Sequence, residues 1–242
     1  MKSVKSLVAG VALSALASSS WAASHSALLQ PAVDAFTKDL GAALSYKAVT
    51  PAEPLGLIGF DIGLETSFTK VASMDQWASA VGGTDVAYLP FPKIHIHKGL
   101  PLGIDLGAVY SKVPSTDISY AGGEIRYSFV SGNLAIPAVA VRGTYTTLMG
   151  VEDASLTTKG VELTVSKGFL MFTPYAGIGQ IWADSNIGAS LTDPLLGDLE
   201  GSVSMSKWFV GLNLNLGLMN IVYETDKTGD AQTHTIKLGF RF

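Results

Sequence analysis

From Gly56 to the end of the chain, apolar and polar positions alternate with a period of two, broken at intervals by glycine-rich or polar stretches. In the first segment Ile58, Phe60, Ile62, Leu64, Thr66 and Phe68 alternate with Gly59, Asp61, Gly63, Glu65 and Ser67. The second ends with Ile94 and Ile96 set against Lys93, His95 and His97. The third sets Leu102, Ile104, Leu106, Ala108 and Tyr110 against Gly103, Asp105 and Gly107. Ile125, Tyr127 and Phe129 oppose Glu124, Arg126 and Ser128 in the fourth. Val139, Val141 and Tyr145 oppose Arg142, Thr144 and Thr146 in the fifth, and Val161, Leu163 and Val165 oppose Glu162, Thr164 and Ser166 in the sixth. The seventh, Phe169 to Ala183, is apolar on both faces and has no readable phase. The eighth sets Trp208, Val210, Leu212, Leu214 and Leu216 against Phe209, Gly211, Asn213, Asn215 and Gly217. A ninth runs from Asn220 to Thr225, and the tenth sets Ile236, Leu238, Phe240 and Phe242 against Thr235, Lys237, Gly239 and Arg241. The pattern predicts ten strands.

Their length points to a membrane. Soluble strands run about 5–6 residues, whereas a tilted spanning strand needs about 9–11, and many of these segments are longer than the soluble norm. The gaps add a second argument. Those after odd strands are long (71–84, 112–117, 148–156, 184–202 and 226–232), and those after even strands are short. Long outer loops and tight periplasmic turns give that alternation, and an even count returns both termini to the periplasmic side. Phe68, Tyr110, Tyr120, Tyr145, Trp182, Trp208 and Tyr223 gather near the long-loop ends, and Phe129, Phe172, Phe240 and Phe242 near the short turns, as two interfacial girdles would.

The first 55 residues read differently. Residues 1–22 have the form of a signal peptide: basic Lys2 and Lys5, an apolar core from Leu7 to Leu16, and Ser20-Trp21-Ala22 before a cut after Ala22. In 24–46, Leu29, Val33, Phe36, Leu40 and Leu44 recur at helical spacing, with Asp34, Lys38 and Asp39 elsewhere around the wheel and Pro31 suited to a first turn. The organisation is thus a signal peptide at 1–22, an amphipathic helix and linker at 23–55, and a barrel at 56–242. Three positions suit the helix: plugging the lumen from the periplasmic end, lying on the inner leaflet, or binding a periplasmic partner. The plug or barrel-base position is favoured, since an apolar stripe must be buried.

Composition agrees with a barrel. Hydrophobic residues make up 48% and charged residues 15%, with a mean hydropathy of +0.34. Past the N-terminus no apolar run reaches the about 18 residues of a spanning helix, so the apolarity is dispersed. Cysteine is absent, which excludes disulfides and thiol chemistry. Removing Lys2 and Lys5 from 16 basic and 20 acidic residues moves the formal charge from −4 to −6, and an acidic chain without basic clusters argues against nucleic acid.

The last residues, Lys237-Leu238-Gly239-Phe240-Arg241-Phe242, resemble the C-terminal signature of bacterial outer-membrane barrels, an alternating final strand ending on Phe. Pro174 and Tyr175 to Gly179 also look like a strand phrase of small barrels. The whole resembles a group of small proteobacterial outer-membrane barrel proteins, a likeness that implies a fold and no activity. It implies Gly239, Phe240 and Phe242 as the signal read by the barrel-assembly machinery, outer-membrane lipid and lipopolysaccharide as surroundings, and the cell outer membrane as location. A soluble lipocalin-like barrel would turn the same alternation inside out. Strand length, loop alternation, low charge and the terminal Phe decide for the membrane.

With the apolar face to lipid, the lumen receives Asp61, Glu65, Lys93, His95, His97, Asp105, Glu124, Arg126, Arg142, Glu162, Lys237 and Arg241. Barrel closure brings Lys237 and Arg241 toward Asp61 and Glu65, and places Glu124 and Arg126 near Asp105 and Arg142. Such charges must pair or stay hydrated; a structural ion-pair network is the favoured reading over a selectivity lining. His95 and His97 share a face about 7 Å apart. They are read as histidines satisfied by Glu65 or Asp61 rather than as part of a metal site, and no cofactor is implied. His234, near the outer rim, points to lipid, and the rim serines Ser111, Ser115 and Ser119 form no catalytic set with it. The expected function is a non-enzymatic outer-membrane protein, structural or a narrow conduit or binder for a small ligand, ahead of a hydrolase or acyl-modifying enzyme.

Overall fold

The computed structural model describes residues 22–70, 72, 88–112, 116–151, 153–188 and 198–242. The signal-peptide reading therefore lies, but for Ala22, outside the described residues. A helix, α1 (Ala22–Leu44), precedes ten strands: β1 (Phe60–Lys70), β2 (Tyr88–Gly99), β3 (Ile104–Lys112), β4 (Ser119–Val130), β5 (Ala138–Met149), β6 (Ala154–Ser166), β7 (Phe172–Ile187), β8 (Leu199–Leu216), β9 (Met219–Thr228) and β10 (Ala231–Arg241). Each strand pairs antiparallel with its neighbours in sequence, and β10 returns to β1 to close the barrel. The seam runs from Asp61 opposite Arg241 to Lys70 opposite Gln232. Phe60 and Phe242 complete it by exchanging both backbone hydrogen bonds, at 2.9 and 3.0 Å. Closure leaves the ring without a free edge strand, since every strand pairs with a neighbour on each side.

The alternation sorts inward from outward as a bilayer requires. Ile62, Leu64, Ile94, Ile125, Leu163, Val210, Ile236 and Leu238 are exposed on the outer wall, while Asp61, Glu65, His95, Arg126, Arg142, Glu162 and Lys237 are buried inside. A soluble barrel has the opposite polarity. No helix among the described residues is long and apolar enough to cross a membrane; the strands make the crossing.

Three sequence expectations are corrected. The strict alternation of long and short connections weakens, because the strands continue through polar residues. Gly229-Asp230 alone joins β9 to β10, and residues 150–153 join β5 to β6. Asp226, Lys227 and Thr228, assigned above to a loop, are paired with β8 and β10. Tyr120 is not in the outer girdle: it faces inward and donates its hydroxyl to the Leu44 carbonyl at 2.9 Å. Pro31 lies within α1 rather than in its first turn, since the helix begins at Ala22.

The seventh strand acquires its phase. Thr173, Tyr175, Ile181 and Ala183 point inward, and Phe172, Ile178 and Trp182 outward. Its inner face is apolar because the helix occupies the lumen there: Ala42 packs with Ile181, Ala183, Met205 and Ala231.

That helix enters from the end opposite to the one expected. Gln30 Nε2 donates to the Glu200 carbonyl at 2.8 Å, and the hydroxyls of Thr37 and Ser185 are 2.7 Å apart. Both wall partners lie next to the 188–198 connection, so α1 starts at the long-loop mouth. It ends at mid-lumen, where Leu44 packs on Val109, Tyr120 and Leu156. Residues 45–55 then descend to the short-turn end, where the Leu55 N–H donates to Asp105 and the chain turns into β1. The strand termini do share one end, as an even count dictates, but residue 22 does not. A 23-residue helix is about 35 Å long at 1.5 Å per residue, more than the half of an about 30 Å bilayer core that separates mid-lumen from the long-loop mouth.

Candidate functional site

Among the described residues, buried polar and charged side chains concentrate in the lumen. Alternation supplies it: every second residue of each strand turns inward, and on these strands that residue is often Asp, Glu, Lys, Arg or His. Lys237 Nζ donates to both Asp61 oxygens, at 2.8 and 3.0 Å, across the β1–β10 seam. Glu65 is reached from β2 instead: Lys93 Nζ is 2.7 Å away and His95 Nδ1 2.8 Å. With a proton on Nδ1, His95 Nε2 is left to accept from the Tyr46 hydroxyl, 2.7 Å away. His97 Nε2 stands 3.0 Å from Glu124 Oε1 without the alignment of a hydrogen bond. Arg142 bridges two acids, donating to Glu124 at 3.1 Å and to Glu162 at 2.5 Å. Arg126 donates to Asp105 at 2.6 Å. Arg241, opposite Asp61 in register, is only half-buried; the ammonium of Lys237 takes the position beside Asp61.

Three wall charges were missed in the sequence. Lys207 donates to Glu162 at 2.7 Å, Glu224 accepts from the Tyr175 hydroxyl at 2.8 Å, and Asp226 accepts from Lys47. The signal was present: Lys207 precedes Trp208, and Glu224 follows Tyr223, so each lies opposite an outward aromatic in the alternation.

The larger omission is what these charges hold. Residues 45–55 run through the lumen as irregular backbone, whose peptide groups need partners away from water. The wall provides them. Glu224 accepts from the N–H groups of Ala48 and Val49, at 3.2 and 2.8 Å. Lys207 donates to the Tyr46 carbonyl at 2.7 Å. Arg126 donates to the Pro51 carbonyl at 2.6 Å and the Thr50 hydroxyl at 2.7 Å. Ser128 donates to the Ala52 carbonyl at 2.7 Å, and the Ala52 N–H donates to Ser166 at 3.0 Å. Val49 sits at φ +38°, a conformation costly for a β-branched residue and sustained only where its surroundings over-determine it. Tyr46, Lys47, Ala48, Val49 and Ala52 are all but inaccessible to solvent. At the outer mouth a cavity of about 760 Å³ opens beside the helix, lined by Asp34, Lys38, Asp39 and Asp230 among others.

The remaining candidates are dispersed. His95 and His97 serve separate carboxylates, and among the described residues no group of three or more His, Asp or Glu side chains is arranged to hold a metal ion. His234 stacks on Tyr223 on the outer wall, 2.9 Å from its hydroxyl. Ser111 is bonded to the Pro92 carbonyl, Ser119 pairs with Lys112 and Met149, and Ser115 lies outside the described residues. In the terminal motif Phe240 and Phe242 face outward, while Gly239 lies against Gly63, where a Cβ would meet the Ile62 carbonyl.

No family model matches the sequence, and no curated protein matches it. Among solved structures it is similar to the attachment invasion locus protein Ail of Yersinia pestis, with 13% identity, 76% of this chain and 97% of that chain covered, and a TM-score of 0.32. It is similar to the N-terminal β-barrel domain of Pseudomonas aeruginosa OprF, with 14% identity, 75% and 97% covered, and a TM-score of 0.34. For the Acinetobacter baumannii outer membrane protein Omp33 the values are 7% identity, 77% and 100% covered, and 0.33. At these scores the likenesses lend nothing to the reading of function, which rests on this chain's own residues.

Proposed function

We propose that the chain is a non-enzymatic outer-membrane barrel whose resting lumen is closed by its own segment 22–55, a narrow conduit that opens only when that segment moves. The observation that carries this reading is the capture of the threading backbone by wall side chains: Glu224, Lys207, Arg126 and Ser128 each hold a peptide group or hydroxyl of residues 46–52. Ten strands enclose little more than their own side chains, so a helix and an extended segment fill what space remains. The outer membrane as location is supported by the outward apolar wall and the terminal Phe242. Cell fractionation tests it: recovery in the soluble periplasm would overturn it.

The test of closure is conductance. In a planar bilayer the unmodified barrel is expected to show little steady current. An Arg126→Ala, Glu224→Ala double variant, which frees the backbone at both 48–49 and 51, is expected to open frequently. Large, stable channels from the unmodified protein would overturn the reading and favour an open porin.

A further inference from the structure

The ladder between β2 and β3 stops partway up the barrel. β2 pairs with β1 as far as Tyr88, but with β3 only from Gly99 to Ile94. Alternate residues of an antiparallel strand turn both N–H and C=O to the same neighbour. In β2 the even-numbered residues face β3. The Pro92 carbonyl accepts from Ser111 of β3 at 2.6 Å, and just past the strand Leu100 donates to Ile104. Gly99, odd-numbered, donates to Gly59 beside β1. Pro92 stands opposite Lys112, the last residue of β3, so it removes the donor that would continue this ladder and none on the β1 side.

A cavity of about 380 Å³ lies at this break, within the range of about 300–1,000 Å³ usual for small-ligand sites. Leu64, Ile94 and Tyr110 line it from the lipid-facing side, Lys93 and Ser111 from the lumen side, and Lys112 at its upper edge. Lys93 is committed to Glu65. Lys112 is exposed and has no hydrogen-bond or ion-pair partner among the described residues. The break is on the long-loop half of the wall, level with the outer leaflet.

We propose that this break is a binding notch for lipid A, in which an acyl chain lies against the apolar lining and a headgroup phosphate is held by Lys112. The chemistry selects this occupant. The lining is apolar and opens to the bilayer, and the free cation at its edge matches a phosphate. Two prolines make poor partners for an added strand, which disfavours a second polypeptide. The proposal rests on the outer-membrane reading for its cellular setting, but its test is made on purified protein and can fail independently of fractionation or conductance.

Native mass spectrometry of the barrel in mild detergent, with diphosphorylated lipid A added, reads the site directly. The unmodified barrel is expected to retain one copy where further copies are stripped. Pro92→Val restores the missing donor opposite Lys112 and should close the notch, lowering affinity about tenfold, while Lys112→Ala should lower it about fivefold, the loss of one exposed charge contact. Lys159→Ala, an outward lysine on β6, should leave binding unchanged. Gel mobility with and without boiling shows that each variant is folded, and should Pro92→Val fail that check, Lys112→Ala carries the test. Unchanged retention in Lys112→Ala, an equal loss in Lys159→Ala, or equal retention of phosphatidylglycerol would each overturn the assignment to lipid A.

Discussion

Lys237 has Asp61 as its anion, and both side chains are inaccessible to solvent. Removing Lys237 leaves the Asp61 carboxylate the Asn220 amide, 3.2 Å away, in place of an ion pair; breaking such a buried pair costs about 3–5 kcal/mol, whereas replacing both members by apolar groups of similar volume is often neutral. Lys237→Ala is therefore expected to lower the unfolding midpoint, followed by gel mobility against urea, well below that of the unmodified barrel. Asp61→Leu, Lys237→Met should recover most of the loss. If the double variant is as unstable as the single one, the damage comes from packing rather than from an orphaned charge. The membership of this layer was legible in the sequence, because alternation alone turns Asp61, Glu65, Arg142 and Lys237 inward. The pairing was only partly legible. Lys93 and Lys237 both stand opposite Glu65 in register, yet Lys237 reaches diagonally to Asp61 and leaves Glu65 to Lys93 and His95, a choice of side-chain reach that no strand pattern contains.

At the scale of elements, the helix and the wall specify each other. The apolar inner face of β7, which gave no phase in the sequence, follows from the packing of Ala42 on Ile181 and Ala183. Below the helix, Gly107 of β3 makes room for the threading segment. A Cβ there would lie 2.6 Å from the Tyr46 hydroxyl, 2.6 Å from His97 and 2.5 Å from Glu124. Overpacking of this kind costs about 1–3 kcal/mol, and the mobile partner is Tyr46, on irregular chain rather than on the sheet. Gly107→Val is expected to part Tyr46 from His95 and to raise the frequency of bilayer openings, whereas Ala108→Val, facing lipid on the same strand, should not. Equal currents from the two variants would show that Tyr46 is not a latch.

For the whole molecule the consequence is topological. The chain at Gln30 lies at the long-loop mouth, and at Ile58, 83% exposed, at the short-turn end. The absence of cysteine makes this testable with single thiols. With the long loops outside, a membrane-impermeant reagent should label Gln30→Cys on intact cells, and Ile58→Cys only after the outer membrane is permeabilised. The reverse pattern would place the helix at the periplasmic mouth. The sequence by itself determined the barrel, its strand number and the polarity of its two faces. Those depend on a two-residue period that each strand carries locally, and on the bilayer's demand that backbone groups pair and apolar groups face out. Only the tertiary structure decided which way the N-terminal segment threads, which charges meet, and that residues 46–52 are what the wall charges hold. The amphipathic stripe of α1 states that it must be buried and not from which side. Partners on the wall and on residues 46–52 are separated by 49 to 186 positions in sequence, and closure of the ring alone brings them within hydrogen-bonding distance.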